Sequence, residues 1–231
     1  MVMGDIPRFQ GGAGAIDFNR EQVSFINLIQ LFYLQEFLMI TQIDAEANSP
    51  GYYLKATTNT RRLVAAITSD QWESSTPCTD WTVLQLVNHM VSGALNISSI
   101  MAGDGPRNLG EVLGDDPIGA FDSACNAAAE ALSKPGAMVE IVRTRRGEQV
   151  AGEYALGQVQ EMLVHGWDLA TAIGGNTTMD PELLEVSYAR ALRNRDRLRT
   201  GGSTAWGESE VAVSKEDSTQ AKYLAVLGRK A

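Results

Sequence analysis

Polar residues recur at roughly helical spacing between Phe18 and Ile43, at Ser24, Asn27, Gln30, Gln35 and Glu36. The face left over is wide and apolar, with Phe25, Ile26, Leu28, Ile29, Phe32, Tyr33, Phe37 and Leu38. The pattern predicts an amphipathic helix that must cover that face against the protein body, a second subunit or a ligand cleft. Asn48-Ser49-Pro50-Gly51 reads as a break. Helical periodicity then returns over Tyr52 to Ile67. Ser75-Thr76-Pro77-Cys78-Thr79-Asp80 reads as a loop ending in capping residues, followed by a helix from Trp81 to Met101. Asp115-Asp116-Pro117 opens an alanine-rich helix to Leu132, stopped by Pro135-Gly136. Alternation within Val139 to Ala151, around Arg145-Arg146-Gly147-Glu148, predicts a short hairpin. A helix over Glu153 to Ile173 ends at Gly174-Gly175, and Asp180-Pro181 caps another that reaches Arg199. A strand around Val211 to Val213 and a short terminal helix close the chain. The expected architecture is mainly α: an antiparallel four-helix bundle with a short β-hairpin before the fourth helix and an extra N-terminal helix. Residues 1–50 form the extension and residues 51–231 the bundle.

The helical wheels bring chemistry into this picture. The chain has two histidines, His89 and His165. In the Trp81–Met101 helix the apolar stripe is Val83, Val87, Met90, Ala94, Ile97 and Met101, and His89 lies about 100° from its centre. In the Glu153–Ile173 helix the stripe is Ala155, Val159, Met162, Gly166, Leu169 and Ile173, and Glu161 and His165 lie about 100° from its centre. Glu161 and His165 are one turn apart on one face, so both reach a common point. Two helices packed by their stripes meet with His89, Glu161 and His165 on a common edge. Two imidazoles and a carboxylate are a usual catalytic zinc set that leaves an open position. Tyr154, Gln158 and Asp168 share the face of Glu161 and His165.

Composition removes other function classes. With 28 acidic against 19 basic residues the formal charge is −9, which argues against nucleic-acid binding. Asn27, Gln30, Gln35 and Glu36 interrupt the apolar N-terminal run, and the residues before it carry acids and bases together, so neither a signal peptide nor a membrane span is expected. Two cysteines make no disulfide framework, and the chain reads as cytoplasmic. Cys78 reads as a packed loop cysteine. Arg190, Arg193, Arg195, Arg197 and Arg199 read as a solvated face suited to a helix C-terminus. Arg143, Arg145 and Arg146 are weaker candidates for meeting a carboxylated substrate.

Thr76-Pro77-Cys78-Thr79-Asp80-Trp81-Thr82-Val83, running on to Leu86-Val87-Asn88-His89, resembles a segment of the DinB-like metal-binding superfamily. The branch is the one related to the N-terminal domain of mycothiol-dependent maleylpyruvate isomerase. Glu161-Met162-Leu163-Val164-His165-Gly166-Trp167-Asp168-Leu169-Ala170 and the tail from Ala221 to Lys230 are similar to further motifs of that branch. The resemblance spans roughly Tyr52 to Ala231. It implies a four-helix bundle holding a divalent metal, usually zinc and sometimes nickel, through His89, Glu161 and His165, with mycothiol as cosubstrate. Residues 1–50 have no counterpart in it, and neither does the isomerase's C-terminal domain, so maleylpyruvate isomerisation itself is not the expected activity.

The expected chemistry is a metal-activated thiolate adding to an electrophilic small molecule, as S-transfer or isomerisation. Asp168 is the candidate for an acid/base or ligand-orienting role. The alternatives are a metal-dependent hydrolase or lyase without a thiol, and a non-catalytic metal-binding or interaction protein. The N-terminal helix is expected to form a homodimer interface, or else a lid over the cleft.

Overall fold

A computed structural model of the protein describes the backbone of residues 20–79, 81–200 and 210–230, and the side chains of those from residue 30 on except 31–34, 37, 38, 199 and 200. The apolar face expected between Phe25 and Leu38 lies outside the described side chains, apart from its polar neighbours Gln35 and Glu36, which are exposed. The chain divides into two compact units between Gln42 and Ile43.

The break expected at Asn48–Gly51 is not there. Helix α1 runs over Arg20–Val64 with Pro50 inside it. Proline has no N–H to offer the carbonyl four residues back, which is that of Glu46. The Ser49 hydroxyl supplies the missing donor, bonding the Glu46 carbonyl at 2.7 Å. The Asn48 side chain also bonds a carbonyl one turn back, donating to that of Asp44 at 2.8 Å. Ser49, which signals a turn in the sequence, here repairs the helix instead.

Helix α2 covers Val83–Met101, two residues shorter at its start than predicted. Its N-cap is Thr82, whose hydroxyl accepts from the Gln85 N–H while the Gln85 side chain accepts from the Thr82 N–H. Helix α3 covers Pro117–Leu132 behind its cap Asp116. A 3-10 turn over Ala137–Val139 leads into β1 (Ile141–Thr144) and β2 (Gly147–Val150), an antiparallel hairpin in which Thr144 pairs with Gly147. Gly147 takes the positive φ of 100° that closes the two-residue turn. Helix α4 covers Ala151–Ile173 and ends at Gly174 in the left-handed region. Helix α5 covers Pro181–Arg193 and stops short of the expected Arg199. The Asn194 side chain takes the Arg190 carbonyl at 3.1 Å and interrupts the helix before α6, Arg195–Thr200. No strand forms at Val211–Val213, where one backbone bond, Val211 N–H to the Ala225 carbonyl, is made instead. Helix α7 covers Thr219–Val226.

The fold is mainly helical with one small antiparallel hairpin, as expected for a DinB-like bundle. Helix α4 is its centre. It is buried on almost every face between Ala151 and Ala170. Helix α2 packs on it and on α3, and α5 packs on another side. The predicted stripes hold except at their last residues: Val83, Val87, Met90, Ala94 and Ile97 of α2, and Ala155, Val159, Met162, Gly166 and Leu169 of α4, are buried, while Met101 and Ile173 are half-buried. The part of α1 after Gln42 joins the same core through Tyr53, Ala56 and Val64. Arg61 pairs with Asp122 of α3 at 2.7 Å, and Lys55 pairs with the α5 cap Asp180 at 2.8 Å. Among the described residues no helix is long and apolar enough to cross a membrane.

Candidate metal centre

The packing of α2 on α4 brings the predicted ligands to one point. Nε2 of His165 lies 3.2 Å from Oε2 of Glu161, and Nε2 of His89 lies 3.6 Å from the same oxygen. The imidazole centroids are 5.0 Å apart, with the rings edge to face at 83°. Donors bound to one tetrahedral zinc at about 2.0–2.2 Å stand roughly 3.3–3.6 Å apart. The spacing and chemistry of this set therefore fit a divalent metal. His165 is fully buried, while the His89 and Glu161 side chains keep 38% and 27% exposure, so the group is closed behind and open in front.

The front opens into a cavity of about 240 Å³ between α2 and α4, walled also by Tyr154 and Gln158, as their shared face with Glu161 predicted. Trp81 closes a side. Its ring sits 4.4 Å from that of His89 and 5.7 Å from that of His165, an apolar wall against both imidazoles. Asn88, next to His89, receives the Val112 N–H at 2.8 Å and donates to the Gly110 carbonyl at 3.2 Å, which fixes the following loop against α2.

Behind His165 stands Asp168, with no exposed surface. Its Oδ2 lies 3.0 Å from Nδ1 of His165. This is the carboxylate–histidine arrangement that leaves Nε2 to a metal. Two further residues complete the arrangement. Arg229 donates from Nε to Oδ1 of Asp168 at 3.1 Å and from Nη2 to Oδ2 at 2.8 Å. The same Nη2 lies 2.9 Å from the sulfur of Cys78, which in turn donates to Oδ2 of Asp168 at 3.3 Å. Cys78 is thus packed, as expected, but into a polar network. Cys78, His165 and Asp168 also form a group with metal-ligand spacing. The Arg229 guanidinium already supplies the cation there, so the metal-competent side of His165 is Nε2.

The electrostatics follow from this layering. Burial works against the charged form of each group, and the partners outweigh it. The two imidazoles hold the Glu161 carboxyl well below the ordinary carboxylate range. His165 and Arg229 lower Asp168. Asp168, Cys78 and Glu161 raise His165 well above the usual imidazole range. Carboxylates on both sides of one imidazole draw positive charge to it, a proton or a metal ion alike.

The family described as the mycothiol maleylpyruvate isomerase N-terminal domain matches residues 53–170, which carry His89, Glu161, His165 and Asp168. The chain belongs to this family. Two uncharacterized proteins from two strains of Mycobacterium tuberculosis are each 33% identical to the chain over 135 residues, covering 56% of it and 71% of each relative. A crystal structure of a point mutant of mycothiol-dependent maleylpyruvate isomerase shares the fold, with a TM-score of 0.53 at 13% identity over 68% of this chain and 72% of that one. The family match ends at Ala170, before Arg229. Arg229 and Trp81 are the site residues to which sequence reasoning gave no role, although both lie in motifs that carried the resemblance. Of the hairpin arginines, Arg145 and Arg146 reach the cavity, and so does Arg190. Arg190 is buried, not part of the solvated face expected of it.

Proposed function

We propose that the protein is a divalent-metal enzyme of the mycothiol-dependent transferase or isomerase type, with His89, Glu161 and His165 holding zinc or, second in preference, nickel. The observation that carries this reading is the convergence of three donors on one point at the mouth of a cavity, with the fourth side open. The mycothiol partner comes from the family, whose name records that thiol. A divalent metal at this point would supply a Lewis acid that lowers the pKa of a thiol enough to make it a nucleophile at neutral pH.

The chain's own residues do the rest. Asp168 accepts the Nδ1 proton of His165, which fixes the tautomer and turns the Nε2 lone pair outward. Arg229 holds both oxygens of Asp168, so the carboxylate cannot rotate away. Asp168 has no surface toward the cavity, so it is a positioning residue rather than an acid or base acting on substrate. Trp81 keeps water off one flank of the imidazoles, which strengthens the electrostatics of the centre. The small electrophile binds in the cavity against the α2 and α4 walls.

The test is metal analysis of the protein and of His89→Ala, followed by calorimetric titration of metal-loaded protein with mycothiol. One metal per chain, lost in the variant, and mycothiol binding that depends on the metal are expected. Stoichiometric metal in His89→Ala would reject the three-ligand centre. A metal-loaded protein that does not bind mycothiol would reject the thiol chemistry and favour a hydrolase or lyase using water.

A further inference from the structure

Gly93 stands in the middle of α2, one turn after His89, and borders the cavity. A glycine inside a helix weakens it relative to alanine, because its backbone loses more freedom on folding. Two glycines of α4 are explained by close approach. A Cβ on Gly152 would lie 2.7 Å from Cβ of Glu46, and one on Gly157 would lie 3.0 Å from Nη2 of Arg190. Gly93 has no such neighbour. Outside its own helix, only Oε1 of Gln158 comes near its Cβ position, at 3.9 Å, an ordinary contact distance. Packing thus leaves room for a side chain that the chain does not supply, and that room belongs to the cavity.

The room joins two ends of the cavity. At one end His89, Glu161 and His165 converge. The other is reached along both helices: Ile97 and Ile100 lie two and three turns beyond His89 on α2, and Tyr154 lies two turns before Glu161 on α4. At the helical rise per residue, the α2 wall runs about 16 Å from His89 to Ile100. Ala94, Ile97, Ile100 and Tyr154 are all buried, so this end has an apolar floor. The polar groups beside it are engaged elsewhere. Asn96 accepts from the Arg107 N–H at 2.6 Å and donates to the Ser92 carbonyl at 3.0 Å. The Thr144 hydroxyl donates to the Gly147 carbonyl at 2.9 Å and accepts from the Arg146 N–H at 3.2 Å. Arg145 and Arg146 are exposed at the rim, where Arg145 donates to the Arg107 carbonyl. Arg190 is held by Glu153 at 2.9 Å and donates to Gln160 at 3.3 Å. Apolar surface left open in this way is stabilised by taking up hydrocarbon.

We propose that Gly93 is a specificity-determining residue, and that it admits an electrophile whose hydrocarbon arm runs from the metal centre over Gly93 to Ile97, Ile100 and Tyr154. The arm is uncharged and several carbons long, and the reacting carbon lies toward His89, Glu161 and His165. That the arm belongs to the molecule transformed rests on the metal reading above. The apolar lobe and the passage over Gly93 stand on the cavity alone.

The test is a series of straight-chain hydroxamates, from acetohydroxamate to octanohydroxamate, titrated calorimetrically into the zinc-loaded full chain. The matching amides are followed on metal-free protein through the backbone amide resonances of Ile97 and Ile100. Acetohydroxamate reads the metal, and the growth of affinity with chain length reads the lobe. Affinity is expected to rise about fourfold for each methylene buried. On metal-free protein octanamide should shift the Ile97 and Ile100 resonances, and acetamide should not. Gly93→Leu puts a side chain in the passage and should lower the ratio of octanohydroxamate to acetohydroxamate affinity by about tenfold or more. Gly93→Ala should lower that ratio less and raise the melting temperature by a few degrees, because nothing collides with the new methyl. No dependence on chain length in either arm of the wild type, an unchanged ratio in both variants, or a lowered melting temperature in Gly93→Ala would overturn the proposal. If acetohydroxamate fails to bind while octanamide still shifts Ile97, the metal reading fails and the apolar lobe stands.

Discussion

At His165 both ring nitrogens face carboxylates, Glu161 at 3.2 Å and Asp168 at 3.0 Å. The two do different work. Glu161 keeps part of its surface and shares the open side with His89, whereas Asp168 is sealed and gripped by Arg229. Asp168→Asn keeps the shape and removes the charge that stabilises the Nδ1 proton. It should lower metal affinity by about 10–100-fold, as loss of a histidine's supporting partner does, measured by competition with a chromophoric chelator. Unchanged affinity would show that Asp168 serves packing alone. That Glu161, His165 and Asp168 share a face was legible in the sequence because i, i+4 and i, i+3 spacing is local. His89 was legible as the other histidine beside an apolar stripe, its approach to Glu161 being left to the packing of α2 on α4. Arg229 was not legible. It lies 61 residues from Asp168, and no local rule couples a terminal arginine to a helix in the core.

Among the elements, α4 carries the most information. Its polar residues Gln160, His165 and Asp168 are buried, and its neighbours reach it through places without a side chain. Gly166 faces α1, where a Cβ would lie 2.9 Å from the Thr60 hydroxyl oxygen. Thr60 uses that approach to donate to the Met162 carbonyl at 3.4 Å. Gly166→Ala should therefore destabilise the fold by about 1–3 kcal/mol through overpacking, read from urea denaturation. Because Gly166 follows His165, the variant should also loosen metal binding. The element boundaries show where sequence reasoning works. Caps and stops with their own chemistry, such as Asp116-Pro117, Asp180-Pro181 and Gly174, fall where expected. Asn48–Gly51 fails because Ser49 and Asn48 have two uses for their side chains. In a turn they bond the backbone locally, and in α1 they bond carbonyls one turn back. Tertiary packing decides between the two, and α1 beyond Pro50 is anchored by Tyr53, Ala56 and Val64.

At the scale of the whole molecule, the stretch up to Ile43 presents exposed apolar side chains. Sequence periodicity gives that stretch a wide apolar face, and Met39, Ile40 and Ile43 are all more than half exposed. We propose self-association through it. The full chain should then run at about twice its 25.0 kDa in sedimentation equilibrium, and a variant lacking residues 1–42 as a monomer. A monomeric full chain would reject this and leave the lid reading. The cut belongs at residue 42 rather than 50, because Ser49, Pro50 and Tyr53 belong to the compact body.

The sequence by itself determined the class of fold, the helix faces and the choice of His89, Glu161 and His165 as candidate metal donors, because periodicity and i, i+4 spacing are local and the chain has so few histidines. It also determined the family, since the motifs are contiguous stretches. Only the tertiary structure decided that α1 runs through its proline, that Asp168 is sealed behind His165 by Arg229 and Cys78, and that Arg190 turns inward over Gly157 to meet the cavity. Each of these depends on a contact between residues far apart in the chain, and such contacts are set by packing, which leaves no periodic trace in the order of amino acids.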